Sequence, residues 1–193
     1  MTASVVLGST SRYRAELLHR LLDGFAQAAP GTDEAALPGE SAPARALRLA
    51  CAKAGAVARS HPQALVIGSD QVAELDGEVL DKPGSIERAC EQLRLSRGRT
   101  VHFHTALCLF DARHGTQQTH VDHTAVVFRP LHDDEIVRYV ARERPLDCAG
   151  SFKCEGLGIS LFDRITTDDP TALVGLPLIA LARLLRSAGM TIP

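Results

Sequence analysis

Asp70, Gln71 and Lys82 are the residues whose types and spacing point most directly to chemistry. The apolar run Leu65-Val66-Ile67 reads as a strand that delivers a carboxylate, Asp70, just past its buried segment. Asp76-Gly77 then turns the chain back, the strongest short-range signal for a hairpin with a two-residue type I′ loop. Centring the loop there pairs Leu75 with Glu78 and, counted outward, Gln71 with Lys82. An acid, an amide and a base are then gathered by local geometry, a constellation suited to charge-stabilised chemistry on an anionic substrate. In an ideal register Lys82 shares a face with Gln71 while Asp70 points the other way, so a bulge or an end of pairing near Asp70 is required. The ordinary alternative is a plain hairpin with a solvated ion pair.

A second constellation lies near the start. Ser4–Leu7 reads as a short buried strand, followed by Gly8-Ser9-Thr10-Ser11 and then Arg12-Tyr13-Arg14. Leu17, Leu18, Leu21 and Leu22 recur at helical spacing, Ser11 suits an N-cap and Gly24 a stop. Free N–H groups at a helix start, with Ser9, Ser11 and Arg14 beside them, suit phosphate. The glycines and the Gly-Lys-Ser/Thr ending of a Walker loop are missing. A capped helix with solvated arginines is the bland alternative.

The elements that must position these residues alternate between helix and strand. Helices are predicted over Pro43–Ser60, with Leu47, Cys51, Ala54 and Val57 on one side, and over Ile86–Leu95 and Leu178–Arg186. A further helix, capped by Asp133-Asp134, carries Ile136, Val137 and Val140 and stops before Pro145. Strands are predicted at Val101–Asp111 and His120–Phe128, joined as a hairpin through Gly115, and at Gly158–Ile165. Ala28–Ser41 is Pro/Gly-rich and reads as a loop carrying Asp33 and Glu34. Such alternation implies an α/β fold with a mixed sheet. His102 and His104 share a strand face, with His120 and His123 on the partner strand. Zinc is disfavoured, because His120 and His123 have opposite parity.

Composition bounds the function. At 193 residues the chain suits one domain, or two small lobes, and 45% hydrophobic content is ordinary for a globular protein. A net charge of −2 supplies no basic excess for general nucleic-acid binding. The apolar run Leu173–Ala182 is broken by Gly175 and Pro177 and stopped by Arg183, so no membrane span is expected. No basic region precedes the first apolar strand, which argues against a signal peptide. The five cysteines include no Cys-x-x-Cys pair and read as reduced, mostly core thiols of a cytosolic protein. Cys154, beside Glu155, lacks an identifiable activating partner for a nucleophilic role.

Taken together, these motifs resemble the Maf family of nucleoside triphosphate pyrophosphatases. The family's opening, a strand followed by Ser-x-Ser and arginine, is matched by Leu7-Gly8-Ser9-Thr10-Ser11-Arg12-Tyr13-Arg14, with Arg12 where proline is common. Matches follow in order at Asp33-Glu34, Lys53, Gly68-Ser69-Asp70-Gln71, Asp81-Lys82-Pro83, Gly98–Thr105, Ala149-Gly150-Ser151-Phe152, Glu155-Gly156 and Gly175-Leu176-Pro177. The likeness spans essentially the whole chain. Ser69-Asp70-Gln71-Val72, and Thr100-Val101-His102, resemble the branch acting on 7-methyl-GTP rather than the dTTP/UTP branch, which typically shows Ala-Asp-Thr and Thr-His.

The resemblance implies a Maf/ITPase-like architecture over residues 1–193: a long curved mixed sheet flanked by helices, with two lobes around a cleft. It implies a cytoplasmic house-cleaning enzyme, a homodimer, that cleaves between the α and β phosphates. Under that reading Glu34 and Asp70 bind or orient Mg²⁺, with Mn²⁺ as a substitute. Arg14, Lys53 and Lys82 hold phosphate oxygens, with Ser9 and Ser11 helping, and Asp70 serves as general base. Tyr13 stacks on a cationic 7-methylguanine, Glu155 accepts its N1 and N2 donors, and Gln71 pairs with polar groups nearby. A dTTP/UTP pyrophosphatase, a nucleotide sensor that does not hydrolyse and a regulator of division are the alternatives.

Overall fold

A computed structural model describes residues 4–193. Its strands are β1 (Ser4–Leu7), β2 (Ala26–Gln27), β3 (Ala64–Leu75), β4 (Glu78–Val79), β5 (Thr100–Asp111), β6 (Thr116–Phe128) and β7 (Phe162–Thr166). The helices are α1 (Arg12–Leu18), α2 (Ala42–Ala58), α3 (Ile86–Ser96), α4 (Asp133–Glu143) and α5 (Leu178–Ser187). The sheet is mixed and open, in the order β2-β1-β3-β5-β6-β7 with β4 on β3. The fold class expected from the sequence is therefore present. The chain forms two compact units, one comprising residues up to Asp70 with Thr105–Asp122 and Asp169–Pro193, the other Gln71–His104 with His123–Asp168.

In the first unit β1 runs parallel to β2 and β3, so a crossover must join β1 to β3, and α2 supplies it. Leu7, Leu65, Ile67, Leu107 and Leu109 pack with Leu17, Leu18 and the apolar face of α5 in one buried cluster. Helix α1 ends earlier than its leucines suggest. The N–H groups of Leu21 and Leu22 both turn back to the Leu18 carbonyl at 3.0 Å. Leu22 still packs into the cluster, so the leucine spacing reports burial beyond the point where the helix ends.

The buried stripe of α2 is Ala46, Leu49, Ala50, Lys53, Ala54 and Val57, whereas Leu47 and Cys51 are only half-buried. The stripe is rotated from the expected one and carries a lysine into it. Close approach causes this. A Cβ on Gly68 of β3 would lie 2.2 Å from the Ala50 carbonyl oxygen and 2.7 Å from the Ala54 nitrogen. Gly68→Ala is expected to force helix and strand apart and to destabilise by about 3 kcal/mol, the upper end for overpacking. Urea unfolding of the variant checks this, and an unchanged midpoint would contradict it.

The second unit is built around Phe103, Phe128, Phe152 and Phe162, which meet edge to face with centroids 4.7–5.7 Å apart. The Asp76-Gly77 hairpin forms as expected: Leu75 pairs with Glu78, and both loop residues take positive φ (50° and 88°). Arg99 pairs with Asp76 across it. The ladder is short, however. β4 ends at Val79, and the last bond is Leu80 N–H to the Ala73 carbonyl at 2.8 Å. The outward count from Gln71 to Lys82 therefore overshoots, and Lys82 follows the strand outside the ladder.

Two other expectations shift. The N-cap of α4 is His132, with Asp133 and Asp134 inside the first turn; Glu135 accepts the His132 N–H at 2.8 Å. The segment expected as a strand from Gly158 begins instead as a 3₁₀ turn over Leu157–Leu161, because the chain folds back on Lys153. Gly158 N–H donates to the Lys153 carbonyl at 3.1 Å, and pairing with β6 starts only at Phe162.

Candidate functional site

The turn after β1 is a tightly wired structure. Gly8 N–H still donates to Ile67 of β3 at 2.8 Å, and the chain then leaves the sheet. Ser9 is buried, and its Oγ accepts from Ser11 N–H at 3.1 Å and from Arg14 Nη1 at 3.4 Å. Ser11 caps α1 as expected, its Oγ accepting from Arg14 N–H at 3.4 Å. The Gln27 amide donates to the Ser9 carbonyl at 2.7 Å. The far side of Arg14 is fixed by Gly175, whose carbonyl accepts its Nε–H at 2.8 Å. Ser69 Oγ lies 2.9 Å from that same carbonyl and 2.8 Å from that of Ala106, and it can donate to one at a time.

Lys53 is the focus of the charged cluster. Of three lysines in the chain it is the buried one, and its Nζ lies 2.6 Å from Asp70 Oδ1 and 2.7 Å from Glu34 Oε1. Helix α2 presents the ammonium, β3 the Asp70 carboxylate and the loop after β2 the Glu34 carboxylate. The Lys53 and Asp70 side chains keep only 7% and 10% of their exposure, whereas Glu34 keeps 54%. An ammonium desolvated to this extent persists only with charged partners of good geometry, and two carboxylates provide them. Burial pushes the Arg14 guanidinium below its ordinary pKa, and the nearby Asp70 and Glu34 charges oppose that shift. Arg14 remains a cation.

Glu34, Lys53, Asp70, Arg14, Ser9 and Ser11, expected at the site from motifs and from the family resemblance, thus gather in the first unit. Their formal charges cancel: two carboxylates against an ammonium and a guanidinium. A triphosphate, with about four negative charges, would meet no net positive field from these four groups. A divalent cation would supply what is missing, and Mg²⁺ characteristically binds through one or two carboxylates plus substrate phosphates. Glu34 and Asp70, converging on one point, fit that donor set. Among the described residues no three His, Cys, Asp or Glu side chains group as a metal site.

Tyr13 is half-buried, and its ring already carries a cation. The Arg12 guanidinium lies 4.8 Å from its centroid and donates to its hydroxyl at 3.0 Å. A cationic base stacking here would use the opposite ring face or displace Arg12.

Gln71, Lys82 and Glu155 belong to the second unit. Gln71 is half-buried on β3, while Lys82 and Glu155 are exposed. Glu155 sits in a turn braced by helix α4. Lys153 N–H donates to the Tyr139 hydroxyl at 3.1 Å, Lys153 Nζ to the Glu143 carbonyl at 3.1 Å, and Leu157 N–H to the Glu143 carboxylate at 2.9 Å. Lys153 therefore has a bracing role.

The same unit holds a histidine cluster. His102 Nδ1 and His123 Nε2 share a hydrogen bond at 3.0 Å, and His104 lies beside His123 and 3.4 Å from Glu74. Burial lowers the His104 pKa, the His123 and His102 charges lower it further, and Glu74 opposes them. The folded state thus resists protonation that the unfolded chain accepts. The resulting stability is present above the unfolded value of about 6.5 and is lost as pH falls through the lower folded value. Melting temperatures between pH 7.5 and 5 are expected to fall less steeply for His104→Gln than for the wild type. Parallel curves would exclude the histidine as a source.

Two supports escaped the sequence reading. Asp169 is buried and accepts Ile179 N–H at 2.7 Å and Thr171 N–H at 3.0 Å; Thr171 Oγ accepts Leu178 N–H at 2.8 Å. Together they cap α5, whose adjacent residue Pro177 has no side chain to do so. The only local hint was an Asp-x-Thr spacing in a turn.

A family model described as Maf-like protein matches residues 4–188. A protein of Aromatoleum aromaticum named 7-methyl-GTP pyrophosphatase is 56% identical over 99% of this chain and 98% of its own length. One of the same name from Xanthomonas campestris pv. campestris is 57% identical over the full length of both. Another, from Cupriavidus pinatubonensis, is 56% identical over 96% of this chain and 93% of its own.

Proposed function

The chain belongs to the Maf-like protein family, and on that premise we propose that it is a nucleoside triphosphate pyrophosphatase acting on 7-methyl-GTP. It releases the monophosphate and pyrophosphate. The observation that carries this reading is the desolvated Lys53 ammonium held at 2.6 and 2.7 Å by Asp70 and Glu34, beside the Ser9-Ser11-Arg14 turn. The near full-length identity to relatives of that name supports it.

The groups then divide the work. Arg14, Lys53 and Lys82 hold phosphate oxygens through charge-assisted hydrogen bonds, and Ser9 and Ser11 add hydroxyls. Asp70 accepts the proton of the attacking water as its oxygen bonds to phosphorus. The bridging P–O bond between α and β breaks, and the pyrophosphate leaves with its electron pair, stabilised by the cations. Glu34 and Asp70 hold Mg²⁺, or Mn²⁺ in its place, which when bound neutralises phosphate charge. When triphosphate oxygens engage Lys53, its carboxylate partners are freed for proton and metal. Glu155 accepts the guanine N1 and N2 donors, Gln71 pairs nearby, and Tyr13 stacks on the methylated ring. The protein is proposed to act as a cytoplasmic homodimer, each chain one domain over its whole length. No helix of the described residues is long and apolar enough to cross a membrane.

The test is a nucleotide panel with Mg²⁺, read as pyrophosphate released. 7-Methyl-GTP is expected to be hydrolysed at least about 10-fold more efficiently than dTTP or UTP, because a pocket carboxylate left unpaired penalises bases lacking two donors, and more efficiently than GTP, which has the same donors but no ring charge to stack on Tyr13. Glu155→Ala is expected to erode that preference more than it slows other nucleotides. A profile led by dTTP or UTP would overturn the substrate assignment, and binding without release would favour a sensor.

A further inference from the structure

Two irregular segments of the second unit carry side chains that the proposed reaction uses: residues 81–84 hold Lys82, and residues 151–155 hold Glu155. Both side chains are exposed, so their placement rests on the backbone beneath them. The Gln92 side chain of α3 bonds to both segments. Its Nε2 donates to the Asp81 carbonyl at 2.8 Å, and its Oε1 accepts from Ser151 Oγ. Chemistry fixes the orientation of this amide, because a carbonyl only accepts and must face the NH₂ group. On the other side of Lys82, Gly84 N–H donates to the Leu146 carbonyl at 3.0 Å. Lys82 is thus strung between two anchored residues.

The Ser151 end is equally constrained. Gly150 and Ser151 both take left-handed φ, 73° and 62°, and Ser151 is fully buried. A serine in that region carries a conformational cost and persists where its surroundings over-determine it. From Ser151 the chain runs through Phe152, packed in the aromatic cluster, and Lys153, braced on α4, to Glu155. The bond to Gln92 sets the start of that run.

We propose that Gln92 is a positioning residue for substrate binding. One amide holds the backbone under Lys82 and the backbone leading to Glu155 in a fixed relation, so that the phosphate and base contacts are made together. The inference rests on the reading of Lys82 as a phosphate contact and Glu155 as the base contact, and adds the residue that sets both. Gln92 acts through these two and not on the substrate itself. The task needs a side chain that donates at one atom and accepts at another, which an amide does without adding charge beside a triphosphate.

The test measures 7-methyl-GTP and UTP kinetics on Gln92→Met, which keeps the length and helix propensity of the side chain and removes both bonds. KM for UTP is expected to rise about 3–10-fold, the worth of one neutral hydrogen bond, with kcat within about 2-fold of the wild type. The preference for 7-methyl-GTP over UTP is expected to fall by about 3-fold or more. With Lys82→Ala also present the rise in KM for UTP should disappear, and with Glu155→Ala present the loss of preference should disappear. Ser151→Gly suits φ 62° and removes the hydroxyl, so it should lower the preference and leave KM for UTP unchanged. Circular dichroism establishes folding, and if Gln92→Met does not fold, an unchanged preference in Ser151→Gly overturns the proposal. Unchanged KM and preference in a folded Gln92→Met overturn it as well. So do changes that persist in full in both double variants, which mark a general loosening. Lys82→Ala and Glu155→Ala that are each silent alone refute the roles of those two residues, and the inference falls with them.

Discussion

Replacing Asp70 by Asn is expected to lower 7-methyl-GTP turnover by about 10²–10⁴-fold, the range for loss of a general base. The substitution keeps the shape of the side chain and removes the charge that accepts a proton or holds a metal. Lys53 keeps Glu34 as a partner at 2.7 Å, and the Asn carbonyl can still accept from it, so the ammonium is not stranded. Stability should drop by only about 1–2 kcal/mol, the scale of a weakened charge-assisted bond. Single-turnover assays with matched circular dichroism separate the two effects. Near wild-type turnover in a folded variant would remove Asp70 from the chemistry.

Lys53→Met is expected to cost about 10–100-fold in kcat/KM, the value of one charge-assisted contact to phosphate. Without the ammonium, Asp70 and Glu34 lose the cation that both engage. Lys82→Ala, at an exposed residue, should also weaken triphosphate binding, and Arg59→Ala should not. Full activity in both lysine variants would dismantle the phosphate cradle.

Much of this site was legible because its signals are local. Ser11 as a cap and Asp76-Gly77 as a turn are decided within four residues, and both formed as read. The burial of Lys53 was not legible from α2 alone. Nothing on the helix prefers a lysine stripe to the Leu47–Cys51 face; the decision rests with Gly68, which admits the helix backbone only in one rotation. The Gln71–Lys82 pairing failed for a related reason. A turn fixes register near itself but says nothing of where the ladder stops. Asp169 was invisible because its partner Ile179 lies across an intervening 3₁₀ turn and Pro177.

The Gly175 carbonyl joins Arg14 and Ser69 through an atom that every amino acid possesses. Alanine scanning leaves that oxygen in place. Substituting Gly175 itself perturbs a backbone held at φ 120°, so the outcome measures conformation rather than the acceptor. A pivotal contact of the phosphate turn is thus silent to side-chain genetics. An ester in place of the Gly175–Leu176 amide, which weakens the carbonyl as an acceptor without altering any side chain, is the kind of chemical edit that makes it audible.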